Sequence, residues 1–398
     1  MTAQAAPRPA SAAAVVGLCF AIALLEGYDI QAMGVAAPKL IPALGLTASQ
    51  AGIAFGGGMA GLMVGAFLGG WLVDRMGRRV VLAAAVSVFG VFTLATMVAP
   101  DFASLLGARL ATGVGLGMAM PTLIAIAIDV SPPERRTGTV AAMFCGMPVG
   151  GALSALFAAY AFEHFGWRSI FMVGGILPLL LIPFILRLPE TRPPTADAAP
   201  AAGLGALFAE RRTGLTLLVW AAFGLTLIVL YLLLNWLPTL VTARGLSAAA
   251  GAQAALAFNI AGVVGTLALG AMVDRQGPLR PFVLAYLGLL AALIALSAAT
   301  GLGPILACAA LAGFCLMGAQ FSLYGVAPMF YPPQVRGLGA GAAVGVGRFG
   351  SITGPMIAGE LLGLGFGPAG VALAMAPVVL AAGAAAVAAT LVGRRLAG

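Results

Sequence analysis

The stretch GGWLVDRMG, residues 69–77, returns as LGAMVDRQG at 269–277. A second pair keeps the same offset of 200 positions: PPERRTG at 132–138 and PPQVRGLG at 332–339. Two motifs repeated at one spacing mark an internally duplicated chain. Around the motifs the sequence is apolar. Of 398 residues, 62% are hydrophobic and only 8% are charged, and the mean hydropathy is +1.08. A soluble domain of this size needs several times more charge on its surface. Apolar runs of about 20 residues have the length of a membrane-spanning helix.

The expected fold is therefore an all-α membrane protein with twelve transmembrane helices. The spans fall at about 12–35, 49–72, 80–99, 103–128, 138–160, 168–187, 214–241, 248–272, 281–300, 303–329, 338–361 and 368–392. The long polar connection RLPETRPPTADAAPAAGLGALFAERR (187–212) divides them six and six, with a short surface helix expected at its end. This gives an N-terminal six-helix half (1–190), a cytoplasmic linker (191–213) and a C-terminal six-helix half (214–398). MTAQAAPRPASAAA runs straight into the first span, and membrane segments follow, so that span is read as retained rather than as a cleaved signal. Basic residues set the orientation. With the N-terminus inside, fifteen arginines lie in inside segments, against Lys39, Arg168 and Arg244 outside; Arg109 and Arg348 fall within spans. Both termini are then cytoplasmic.

The net charge of +8 is spread over short loops, which argues against nucleic acid. Cys19, Cys145, Cys308 and Cys315 lie in apolar spans without metal-ligand spacing, and the one histidine, His164, lies in a loop. Neither a metal nor another cofactor is expected, and no nucleophile–base set for an enzyme is present.

Six spans repeated in the same orientation are the parallel repeat of major facilitator transporters, whose substrate site lies near the midplane between the halves. GGWLVDRMGRR resembles that superfamily's loop between helices 2 and 3, and RLATGVGLG (109–117) resembles its helix 4 arginine motif. LLEGYDIQAMGVAAP (24–38) resembles the helix 1 signature of aromatic acid:proton symporters. YLLLNWLPTLV (231–241) and LYGVAPMFYPPQVRGLGAGAAVGVGRFGSITGP (323–355) are similar to the 3-(3-hydroxyphenyl)propionate branch. Two departures stand out. Glu26 replaces the Asp of many members, and GMPVGG (146–151) displaces the proline of the antiporter motif. The resemblance implies a proton-coupled symporter that imports an aromatic monocarboxylate, such as a hydroxyphenylpropionate or hydroxybenzoate, by alternating access. It would sit as a monomer in a bacterial inner membrane. A proton-driven efflux antiporter of the same fold is the alternative.

Glu26 and Asp29 share one helix face. A carboxylate at the centre of a membrane helix costs roughly 2.5–3.5 kcal/mol on insertion scales, so two within one turn imply a use. Asp29 and Arg109 lie at matching depth, which makes Arg109 the natural partner; the three form the expected proton-coupling set. A fixed ion pair that only sets helix packing is the other reading. Arg348 lies near the midplane with no acid of the second half at its depth, so its expected partner is a substrate carboxylate, or else Glu26 across the cavity. Ring contacts are expected from Tyr28, Phe144, Tyr231, Trp236, Phe321, Tyr324 and Phe349, and hydroxyl contacts from Asn235, Asn259 and Gln320. Asp74, Arg75, Arg78, Asp274, Arg275 and Arg336 mark the inner loops. The resemblance gives them a gating role, with Asp74 meeting the start of helix 11. Glycines 57, 61, 65 and 69, with 341, 345, 350 and 354, are expected to pack the halves together at that gate.

Overall fold

The computed structural model describes residues 12–132, 136–188, 204–209, 212–332 and 335–397. The chain is helical, with no strand among the described residues. The first half holds α1 (Ala12–Ala43), α2 (Ala48–Met76), α3 (Arg78–Val98), α4 (Phe102–Asp129), α5 (Arg136–Phe144), α6 (Gly146–Phe165) and α7 (Arg168–Ile185). The second holds α8 (Thr213–Thr242), α9 (Ala248–Gln276), α10 (Leu279–Ala298), α11 (Leu302–Val326), α12 (Arg336–Gly363), α13 (Pro368–Ala374) and α14 (Ala376–Ala397).

Fourteen helices make twelve spans because the fifth and the twelfth are each broken. Pro148 is the third residue of α6 and Pro377 the second of α14. Each lacks an N–H for the turn before it, so the helix restarts there. Among the described residues, eleven segments are long and apolar enough to cross a membrane. The eleventh span, α12, is not one of them: it is rich in glycine, carries Arg348 and is held by its neighbours. The repeat extends to element boundaries: α2 and α9 span 48–76 and 248–276. Each ends on a glycine of positive φ, Gly77 at 85° and Gly277 at 74°. Only glycine takes that conformation without strain, which explains the last letter of the repeated motif.

Caps fix the helix starts at the arginine-poor end. Thr47 and Gln50 form a reciprocal capping box on α2, and Asp101 and Ser104 one on α4. The Ser104 backbone N–H, and then its hydroxyl, hold the Asp101 carboxyl below its ordinary range. That cap is intact above the ordinary carboxylate pKa and is lost as pH falls through the depressed value.

Within each half the same pairs touch: α2 with α4 as α9 with α11, α1 with α6 as α8 with α12, α3 with α7 as α10 with α14. The halves meet through α2–α12, α6–α9 and α1–α8. Glycines 57, 61, 65 and 69 do not serve that seam. They face Leu106, Leu110, Val114 and Met118 of α4, inside the first half. Gly350 and Gly354 face α8 in the second. The seam glycines are Gly52 and Gly56 of α2, set against Pro355 and Ile352, and Gly359 of α12, set against Ala48. Ser49 also donates to Glu360 there.

The seam is one-ended. On α12, Ile352, Pro355 and Gly359 face α2. Arg348, Gly345 and Gly341 continue that face towards the arginine-rich end, where a side chain added at Gly341 or Gly345 would meet nothing within 4 Å. On α1 every residue from Leu25 to Ala37 is buried, as is every residue of α8 from Val229 to Pro238; earlier turns of both helices keep an open face. The halves are closed at the arginine-poor end and open at the other.

Of the linker, only its last turns are described. The helix expected there is a single 3₁₀ turn, Leu204–Leu207. Leu207 is fully buried against Tyr331 and Val335, and its carbonyl accepts from Thr216 at 2.7 Å. Residues 191–203 lie outside the described residues.

Candidate functional site

Asp29 and Arg109 meet. The guanidinium grips the carboxylate with both terminal nitrogens, at 3.2 Å to Oδ1 and 3.0 Å to Oδ2. Thr93 of α3 donates to Oδ1 at 2.8 Å. Asp29 is 0% and Arg109 2% exposed, so the pair is desolvated. A buried pair depends on such hydrogen bonds; of the guanidinium nitrogens, Nε alone finds no acceptor. Gly58 of α2 packs beside the guanidinium, where an added Cβ would be in ordinary contact at 3.6 Å. Thr93 escapes a sequence reading because one threonine in an apolar helix most often bonds its own backbone.

Glu26, one turn away, is as deeply buried, yet no donor reaches its Oε1. Glu26 and Arg348 sense one another's charge across the seam but close no ion pair. Arg348 is half-buried, and its one side-chain hydrogen bond goes to the Tyr231 phenol at 3.4 Å. Tyr324 stands on its other side, within reach of its charge and edge-on to Phe223 at 5.3 Å. Gln320 lies beside Tyr324, but neither amide atom attains hydrogen-bond geometry.

Between the halves, beside the Tyr231 partner of Arg348, is a small cavity of about 80 Å³ lined by Gln31, Pro148, Gly151, Tyr231, Asn259 and Phe321, among others. Of the expected contacts, Tyr231, Phe321 and Asn259 line it. Others do not. Phe349 is exposed. The Tyr28 ring lies over Gly174 of α7, inside the first half, because residue 28 is on the face of α1 that meets α7. Phe144 ends α5, before the break, packed into the core. Trp236 donates to the Pro355 carbonyl at 2.9 Å and stacks edge-on to Phe55 at 5.3 Å, so it belongs to the closed seam. Asn235 bonds back to the Tyr231 carbonyl at 2.8 Å.

Four of the expected loop charges make local contacts or none across the halves: Arg78, Arg75, Arg336 and Arg275. Arg78 pairs with Asp129 and caps the end of α4. Arg75 lies 3.9 Å over the Trp71 ring. Arg336 turns back to the Tyr331 carbonyl at 3.4 Å. Asp274 and Arg275 are exposed. The Asp74 side chain lies outside the described ones. At the open end the helices that would carry such contacts are apart.

Two six-helix halves with an ion pair in one and a lone cation in the other, around a cavity at their seam, is the arrangement of a transporter. The family model of the Major Facilitator Superfamily matches residues 19–355. The chain belongs to the major facilitator superfamily. It is 43% identical to the 3-(3-hydroxy-phenyl)propionate transporter of Escherichia coli (strain K12), over 92% of this chain and 91% of that one. The gallate transporter of Pseudomonas putida is 36% identical, covering 89% and 86%. The 4-hydroxybenzoate transporter PcaK of Pseudomonas aeruginosa is 35% identical, covering 88% and 86%. Among solved structures, a bacterial homologue of the human lysosomal transporter Spinster matches with a TM-score of 0.80 at 18% identity, covering 96% and 97%. A D-xylose–proton symporter matches at 0.76 and 17%, covering 96% and 97%. These two likenesses show the facilitator fold alone.

Proposed function

We propose that this facilitator imports an aromatic monocarboxylate together with a proton, across a bacterial inner membrane with both termini in the cytoplasm. The observation that carries the reading is Arg348: a guanidinium at the closed end of the cavity, held by a phenol and by no carboxylate among the described residues. A half-buried cation at membrane depth without a counter-charge is costly, and a substrate carboxylate supplies one in bidentate geometry. Tyr231, Tyr324 and Phe321 offer rings around it, and the relatives named for hydroxylated aromatic acids support a ring with a hydroxyl.

The proton is carried by the acids of α1. Protonation of Asp29 removes the charge that holds Arg109, and the released guanidinium loosens α1 against α4. Glu26, between that pair and Arg348, takes the proton beside the bound acid. Binding at the closed end then biases which end of the seam is open. Substitution of Arg348 tests the clamp. Lysine keeps the charge and loses the fork, so Arg348→Lys is expected to weaken equilibrium binding of labelled 3-(3-hydroxyphenyl)propionate to the purified protein more than tenfold. Wild-type affinity in that variant removes Arg348 from the substrate site.

A further inference from the structure

The Leu234 carbonyl in α8 lacks the usual donor four residues on in its own helix. Four residues on stands Pro238, which has no N–H to offer. A buried carbonyl needs a donor from elsewhere. Gln31 of α1 supplies it, Nε2 to oxygen, at 2.9 Å. With Nε2 so committed, Gln31 Oε1 faces α9 as an acceptor, and Asn259 Nδ2 donates to it at 3.1 Å. The second hydrogen of that nitrogen goes to the Ala255 carbonyl at 2.8 Å. Both amide orientations are therefore fixed by their partners.

One group is left over. Asn259 has spent both hydrogens, and its Oδ1 accepts nothing from any described residue. It is turned towards Gly151 of α6, where the missing side chain leaves room: a Cβ at 151 would stand 2.7 Å from Oδ1. Gln31, Gly151 and Asn259 all line the cavity beside Tyr231, the partner of Arg348. Tyr231 precedes Leu234 by three residues, about 4.5 Å along the helix. The free acceptor and the phenol that holds Arg348 thus face one space.

We propose that Asn259 Oδ1 reads a hydrogen-bond donor on the substrate ring, and that the Gln31–Asn259 relay aims it. This rests on the aromatic-acid reading above. An acceptor with no hydrogen to give selects O–H or N–H on the ring and gains nothing from a substituent that only accepts. The relay also runs from α1 to α8 and α9, across the seam. It exists only while the arginine-poor end is closed, so the ring hydroxyl is recognised in that state.

The wild-type protein in proteoliposomes tests this with a series of 3-arylpropionates competing against labelled 3-(3-hydroxyphenyl)propionate. The 3-hydroxy and 3-amino acids are expected to compete at least about fivefold better than the 3-fluoro and unsubstituted acids, which is the worth of one hydrogen bond. In Asn259→Ala and in Gln31→Met that ratio is expected to fall towards one. A fluoro acid as good as the hydroxy acid overturns the proposal. So does a ratio that both variants leave intact, or an equal loss for every acid, which marks a merely structural pair. If no arylpropionate competes or enters at all, the aromatic-acid reading falls, and the relay's role with it.

Discussion

Single side chains divide into those that hold the seam and those that face the cavity. Trp236 and Tyr231 are five residues apart on α8 and do different things. The indole is tied to the Pro355 carbonyl and wedged on Phe55; the phenol meets Arg348. Trp236→Phe is expected to lower thermal stability by about 1 kcal/mol, the worth of one hydrogen bond, and to leave the dissociation constant for the aromatic acid within twofold. Tyr231→Phe is expected to weaken binding. A matched pair of melting and binding curves on the two variants checks this; a Trp236 variant that melts as wild type but no longer binds reverses the assignment. The Asp29–Arg109 pair is legible in the sequence, since two opposite charges at equal depth in apolar helices leave little choice of partner. Gln31 is not. Its role depends on an orphan carbonyl across the seam, and only the pairing of α1 with α8 shows that Leu234 is within its reach.

At the scale of the helices, small residues decide how close two backbones come. The glycine spacing of α2 is plain in the sequence, but the periodicity of one helix does not say which neighbour it meets. The stripe serves α4. That difference is measurable. A side chain at Gly65 would run into the Val114 carbonyl, whereas one at Gly345 meets nothing within 4 Å. Gly65→Val is expected to reduce the yield of folded protein in the membrane several-fold. Gly345→Val is expected to fold as wild type and, being on the open face of α12, to slow transport when the halves approach. Equal yields from the two variants contradict the assignment of the stripe to the α2–α4 contact. The breaks in the fifth and twelfth spans follow from Pro148 and Pro377. They escape a reading by hydropathy because an apolar window continues across a kink unchanged.

The whole molecule is two copies of one plan made chemically unequal. The first half carries Glu26, Asp29 and Arg109; the second carries Arg348 and the amide of Asn259. Under the proposed proton-coupled import, proton chemistry and substrate chemistry lie on opposite sides of one seam, and the seam is what opens and closes. Coupling then needs no long relay: both ligands bias the same two-state contact. The measurement that bears most directly on this is accumulation of labelled 3-(3-hydroxyphenyl)propionate in right-side-out vesicles, with and without an imposed inward proton gradient, for wild type and Asp29→Asn. The wild type is expected to concentrate the acid only while the gradient lasts. Asp29→Asn is expected to lose accumulation yet still exchange labelled for unlabelled acid. Accumulation that outlasts collapse of the gradient, net extrusion in its place, or an Asp29→Asn protein that still concentrates the acid contradicts proton-coupled import through this pair.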